Sequence, residues 1–492
     1  MMPQKAEKGR NYILQYGAGS RIINFNIPNA SATGSLFLPR KALQWQKERM
    51  QMQFNSSSFL FYYLPLTMAA YYIAPVRHRN MVLLASGLLF YGWGLRSVWP
   101  LGILLTLTVL VWATAKALSW KRQPWILGAA LFSMAAILVF FKLAYGGRYL
   151  PAGMSFYLFQ MAAYLIDVYR EKCEAEHSFL TFGAQVVMFP KLLSGPIISP
   201  QRLQAQFLSP CDCGRTFRLG LKEFILGLGL KVLLADRVGG IWAQAGVAGF
   251  ESISTPFAWM ALVSYAMRLY FDFYGYSLMA VGLGRMLGFH LPMNFLEPYS
   301  AGSVSAFYRR WHVTLGAWFR EYVYIPLGGN RNGILRTVCN LAIVWTLTGF
   351  WHGVGGNYLI WAGFLFLLIV NERLWLGKLL KRTKILCHVY TVFVILLSWV
   401  PFAVADHSQM ILFVQKLFGF GCALNPHDFI NWGRQYWQIL LAGVLFATPL
   451  PKKLWLRFQQ SYWTDGLAFI LFWICVYFIS TSAQDPFMYF QY

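Results

Sequence analysis

Beyond residue 58 the chain alternates between apolar runs and short basic loops. The runs 59–75, 81–95, 98–115, 125–141 and 154–168 each have roughly the length of a membrane-embedded helix. Between them lie Arg77-His78-Arg79, then Arg96 alone, then Lys116, Lys121 and Arg122, then Lys142 and Arg148, then Arg170-Glu171-Lys172. The first, third and fifth loops are the heavier, so they are expected in the cytoplasm and the start of the first span outside. Lys142 lies at a span end, where it is expected to snorkel. Further on, 338–351 and 358–370 form an apolar double span without Lys, Arg, Asp or Glu, joined by His352, Gly353, Gly355 and Gly356. Each arm measures about 20 Å at 1.5 Å per residue, short of a hydrocarbon core of about 30 Å. The expectation is a re-entrant hairpin with His352 inside the membrane. The basic loops 372–384 and 452–458, and spans near 385–405, 437–449 and 467–480, complete the pattern. The tail DPFMYFQY is then expected outside. The fold predicted is all-α: a polytopic integral membrane protein of about ten to twelve spanning or re-entrant helices around a buried cavity.

The central third breaks this rhythm. VVMFPKLLSGPIISP (186–200) is apolar but interrupted by Pro190, Gly195, Pro196 and Pro200, so no continuous helix is expected. Such backbone is tolerated at membrane depth only inside protein or along a wet cavity. EFILGLGL, flanked by Arg215, Arg218, Lys222 and Lys231, reads as an amphipathic or inner-leaflet helix. Within LYFDFYGYSLMAVGLG (269–284), Asp272 is expected to pair with Arg268 at helical spacing and hold the fold. In FYRRWHVTLGAWFREYVYIPLGGNR (307–331), a helical period places Tyr308, His312, Leu315, Phe319 and Val323 on one inward stripe. Arg310 and Glu321 fall on the opposite side, and Pro326, Gly328 and Gly329 end the helix.

Composition fixes the class. Of 492 residues 57% are hydrophobic and only 12% charged, against about 25% charged in soluble domains. The net charge of +24 sits in short clusters between apolar runs, a pattern of membrane topology and anionic lipid contact rather than nucleic-acid binding. The seven cysteines are scattered, with only Cys211 and Cys213 close, so neither a metal quartet nor a disulfide framework is expected. Residues 1–51 are polar and basic without a span or a normal signal peptide. Translation is expected to start at Met50 or Met52, leaving 1–51 as an upstream-start artefact or a disordered leader. Lys47-Glu48-Arg49 can even be a ribosome-binding site read in frame. Residues 52–492 then form one domain.

Histidine accepts and returns a proton near neutral pH. Either His312 or His352 alone is equally a core group that helps helices pack. Two on embedded elements of one chain point to chemistry. The ordered set SFLFYYLPL, AGMSFYLFQMAAYLIDVYR, MFPKLLSGPI, YFDFYGYSLMAVGLG, the RRWH segment, WHG at 351–353 and DPFMYFQY resembles the bacterial branch of the membrane-bound O-acyltransferase (MBOAT) family. The IPLGGNR ending is closer to the alginate O-acetylation type than to the teichoic-acid D-alanylation type. The leader and a short region between Trp93 and Pro151 depart from the family pattern.

The resemblance implies that His352 is catalytic and His312 a second active-site member, with Trp311, Trp351, Tyr308 and Asn357 supporting them or lining a substrate tunnel. It implies a protein of the cytoplasmic (inner) membrane with its C-terminus outside and no bound cofactor or metal. The acyl donor is then acetyl-CoA or another acyl thioester, and the acceptor an exported or cell-envelope polysaccharide. An extracytoplasmic acetyltransferase partner is expected to complete the transfer. A nucleophile elbow of GxSxG type is absent, so a covalent serine intermediate is not indicated. The competing class is a transporter or channel using intramembrane histidines, against which stand the lack of an internal repeat and of an intramembrane carboxylate series. A lipid-linked glycosyltransferase would pair carboxylates on an outer loop. Asp406, Asp428 and Asp485 are too scattered for that.

Overall fold

The computed structural model describes residues 52–94, 98–144, 149–209, 214–377, 383–421 and 423–481. The leader, Arg96, Arg148, Cys211, Cys213 and the tail DPFMYFQY lie outside the described residues. In order run α1 (Phe59–Ile73), α2 (Arg79–Gly94), α3 (Trp99–Trp120), α4 (Pro124–Leu143), α5 (Met154–Tyr169), α6 (Phe179–Val187), α7 (Phe189–Leu192) and α8 (Pro200–Leu208). Then come α9 (Gly214–Gly229), α10 (Asp236–Ala248), α11 (Thr255–Met286), α12 (Val304–Tyr308), α13 (Val313–Phe319), α14 (Gly333–His352) and α15 (Gly356–Asn371). The chain closes with α16 (Lys384–Ala403), α17 (His407–Leu417), α18 (Asp428–Ala447), α19 (Leu450–Phe458) and α20 (Trp463–Thr481). No strand occurs among the described residues. Among the described residues six helices are long and apolar enough to cross a membrane, or seven if α18 and α19, bent by 68°, count as one span. The protein is a polytopic, all-helical membrane protein. The runs at 59–75, 81–95 and 154–168 form helices too short to cross the hydrocarbon alone, and they pack within the body.

The core is built around α11. At 32 residues it is about 48 Å long, and most of its side chains are buried. α9 runs antiparallel to it at glycine-to-glycine contact. A Cβ on Gly220 would lie 2.6 Å from the carbonyl oxygen of Gly282, and one on Gly227 would lie 2.5 Å from that of Gly275. Small residues at seven-residue spacing on both helices thus set their approach. EFILGLGL, expected as an amphipathic or inner-leaflet helix, packs its glycine face on α11. The basic flank turns into protein: Arg218 and Lys222 pair with Asp465 at the start of α20, and Lys222 also donates to Thr464 Oγ1 at 2.8 Å. A π-helical turn (Leu230–Ala235) joins α9 to α10 and delivers the fully buried Lys231 to Asp272 at 2.6 Å and Asp236 at 2.7 Å. Lys231 is a partner that helical spacing did not indicate.

The segment 186–200 is broken as its prolines predict. α6 ends at Val187, the four-residue α7 follows, and irregular backbone runs from there to α8. Nearly all of it is buried in protein, where Lys191 Nζ donates to Gln160 Oε1 and Ile197 N to Thr314 Oγ1. Two expectations fail. The histidine hairpin is not short: α14 has 20 residues, and α15 continues through a further π-helical turn to give 21 residues, Gly356–Leu376. Each arm is about 30 Å, enough to cross the hydrocarbon. His352 therefore sits at the far end of a span-length helix, not at a re-entrant turn. Nor is 307–324 one helix. It breaks between α12 and α13, and a π-helical turn (Arg320–Tyr324) ends it.

Candidate active site

The break between α12 and α13 is where His312 acquires its position. The residue adopts left-handed backbone (φ 46°, ψ 53°), a conformation that costs an L-residue about 1–2 kcal/mol. Neighbouring bonds hold it there: Val313 N donates to Asn294 O at 3.0 Å, Leu296 N to Arg310 O at 3.0 Å, and Gly316 N to His312 O at 3.1 Å. The imidazole Nδ1 lies 3.3 Å from Asn294 Oδ1. That oxygen also accepts from Thr314 Oγ1 at 2.6 Å, whose hydroxyl in turn accepts from Ile197 N at 3.0 Å. Asn294 Oδ1 is thus an acceptor, so Nδ1–H donates to it and the basic lone pair of His312 lies on Nε2. Rings enclose it: Phe273 edge-on at 4.8 Å, Trp351 at 6.0 Å and Phe156 stacked at 6.3 Å.

His352 ends α14. The chain leaves through Gly353, where a Cβ would lie 2.4 Å from the ring of Tyr358. Only glycine lets the turn close that tightly. Asn357 is buried and donates to the carbonyl of Pro401 at 3.0 Å, tying the turn to α16. Trp361 and Phe402 meet the His352 ring edge-on at 4.9 and 5.0 Å, and Tyr358 stacks at 6.3 Å. Trp351 lies 4.6 Å from His352 as well as 6.0 Å from His312, which keeps the two imidazoles within about 11 Å of each other. The structure thus brings both sequence-predicted histidines, buried, to one aromatic chamber.

Tyr308 packs on Trp345 at 5.0 Å and Trp361 at 6.4 Å, one ring away from His352. Trp311 stands further back, against Trp399 at 5.1 Å, and walls the chamber rather than lining it. A cavity of about 830 Å³ reaches Tyr308 and Trp345 from a rim carrying the exposed Arg309, Arg320 and Arg373. Its Glu372 is bound to the start of α12, accepting from Val304 N at 2.6 Å and from Ser305 N and Oγ at 3.1 Å. The exposed charge at the mouth is therefore basic. Among the described residues, no group of three His, Cys, Asp or Glu side chains could hold a metal ion.

The sequence model of the membrane-bound O-acyltransferase family matches residues 76–400, about two thirds of the chain. The chain belongs to the membrane-bound O-acyltransferase family. It is accordingly an O-acyltransferase. The chain is 31% identical over 499 residues to the probable alginate O-acetylase AlgI of Pseudomonas putida, covering 90% of this chain and 100% of that protein. It is 29% identical over 520 residues to the peptidoglycan O-acetyltransferase of Helicobacter pylori, covering 89% and 97%. With the teichoic acid D-alanyltransferase of Streptococcus thermophilus it shares 26% identity over 250 residues, covering 47% and 58%.

Several residues of this O-acyltransferase chamber carry no signal of their own in the sequence. Asn294, Phe156, Phe273 and Phe402 reach the histidines from distant segments, Trp361 comes from the next helix, and Thr314, two residues after His312, bonds to Asn294. Lys142, expected to snorkel, instead turns inward and donates from Nζ to the carbonyl of Trp351 at 2.5 Å. A lysine at a span end favours the headgroups by default. Here the C-terminus of α14 offers it a carbonyl that lacks a helical partner.

Proposed function

We propose that the protein transfers an acyl group, most simply acetyl, from a cytoplasmic thioester donor to hydroxyls of an exported or cell-envelope polysaccharide. His352 is the base: it takes the hydroxyl proton as the oxygen attacks the thioester carbonyl, and the thiol departs with a proton as the ester forms. His312, with Nε2 as its basic atom, is the second active-site member and orients the reacting groups. Trp351, Tyr308 and Asn357 support the chamber, and Trp311 backs it. The donor, acetyl-CoA or another acyl thioester, enters by the cavity rimmed with Arg309, Arg320 and Arg373, whose cations suit its phosphates. The acyl group reaches the glycan either directly from this site or through an extracytoplasmic acetyltransferase partner, whose hydroxyl is then the one that His352 deprotonates. The protein sits in the cytoplasmic membrane with its C-terminus outside, and lipids cover its apolar flanks.

The observation that carries this reading is the convergence of His312 and His352 on the ring of Trp351. The activities of the relatives support a polysaccharide acceptor. The test is acetyl analysis of the cell's glycans with and without this protein. Loss of acetyl esters from one exported or envelope polysaccharide is expected. Full acetylation after deletion contradicts the proposal.

A further inference from the structure

Lys142 is the penultimate residue of α4, a 20-residue helix that is otherwise almost entirely apolar. It points into the protein, is 8% exposed, and donates to the carbonyl of Trp351. Taking an ammonium out of water costs several kcal/mol. Capping a helix end does not demand that cost, since water or a neighbouring backbone group would serve. What singles out this carbonyl is its place. It belongs to the peptide that joins Trp351 to His352, between the indole shared by both histidines and the proposed base. Beyond it come Gly353, Gly355 and Gly356, which have no side chains to hold the turn.

We infer that Lys142 is a positioning residue for acyl transfer: its ammonium fixes the last turn of α14, and through that peptide the place of the His352 ring beside Trp351. This rests on the reading of His352 as the base. The side chain acts through the backbone and touches no reacting atom. Arginine can reach the same carbonyl with a charged N–H. Glutamine keeps a donor but loses the charge, and methionine loses both.

The test measures acyl transfer from radiolabelled acetyl-CoA in membranes carrying the parent, Lys142→Met, Lys142→Gln, Lys142→Arg or His352→Ala, with folded protein followed by size exclusion. Lys142→Met should lower kcat about 10²-fold, as a misplacement of about 1 Å can. KM for acetyl-CoA should stay within about twofold, because the donor mouth is untouched. Lys142→Arg should restore most of kcat. If Lys142→Met does not fold, Lys142→Gln is read by the same criteria. A Met variant at the parent kcat overturns the inference, as does a loss that lies in KM, that Arg does not rescue, or that only tracks folded protein. If His352→Ala runs at the parent rate, the base reading itself falls. If His352→Ala is inactive while Lys142→Met is not, only the role of Lys142 falls. Should the parent reject acetyl-CoA, the donor assignment fails, and the same variants are ranked by acetyl per sugar in exported glycan, with Arg rescue deciding.

Discussion

His312 depends on one asparagine for both its backbone and its ring. Asn294 accepts from Val313 N with its main chain, and from His312 and Thr314 with its amide oxygen. Replacing it by leucine leaves two buried donors without an acceptor, which costs about 1–3 kcal/mol. Asn294→Leu is therefore expected to unfold at lower temperature in detergent and to lose acyl-transfer rate. A variant that keeps both shows that His312 is held by its aromatic neighbours alone. By contrast, Arg310, which donates to Ser300 Oγ at 2.7 Å, and Glu321, which pairs with Lys172 and Arg170, lie outside the ring of side chains around the histidines. Arg310→Gln and Glu321→Gln should lower stability more than turnover. Thermal unfolding and rate measured side by side check this. At this scale the two histidines were legible because each is a titratable group in a strongly apolar setting. Asn294 and Lys142 were not. They lie 18 and 209 residues from their partners, and no local pattern reports such a contact.

Helices form where apolar runs and prolines foretell them, and the candidate site sits where the pattern is broken. A 3.6-residue period read across 307–323 put His312 on an inward face, and it is inward, but for another reason. The chain there is not helical, and the direction of the ring comes from left-handed backbone held by a separate segment. The arms of the histidine hairpin extend beyond the apolar runs 338–351 and 358–370, taking in Arg336 and Thr337 at one end and Glu372 at the other. Polar residues do not stop a helix whose backbone bonds continue, and Thr337 returns its hydroxyl to Gly333 O at 2.9 Å. The close approach of α9 and α11 was invisible in the sequence, since glycine spacing acquires meaning only once a partner helix is known. It is now testable. Gly227→Val drives a side chain into the Gly275 carbonyl, and overpacking of this kind costs about 1–3 kcal/mol or more. The variant should lose folded protein in a detergent melt, whereas Gly128→Val on α4, where a Cβ meets nothing, should not. Equal melting of the two would remove the glycine contact from the account.

Across the whole molecule, two of the loops expected in the cytoplasm, 116–122 and 169–173, meet each other. Arg122 pairs with Glu171, and Lys172 with Glu321, so the ends of α3 and α5 and the start of the 320–332 turn share one face. α14 leaves from that face and His352 lies a helix length away. Cysteines placed singly at the exposed Lys121 and Val354, in a background free of reactive thiols, should therefore label from opposite sides. Labelling of both from outside would contradict the arrangement. The decisive measurement is the acyl-transfer rate of purified His352→Ala against the parent at equal folded protein. Removing a general base costs about 10² to 10⁴ in rate. The account predicts a loss at least that large with unchanged size-exclusion behaviour. A folded His352→Ala protein that acylates at the parent rate would contradict it.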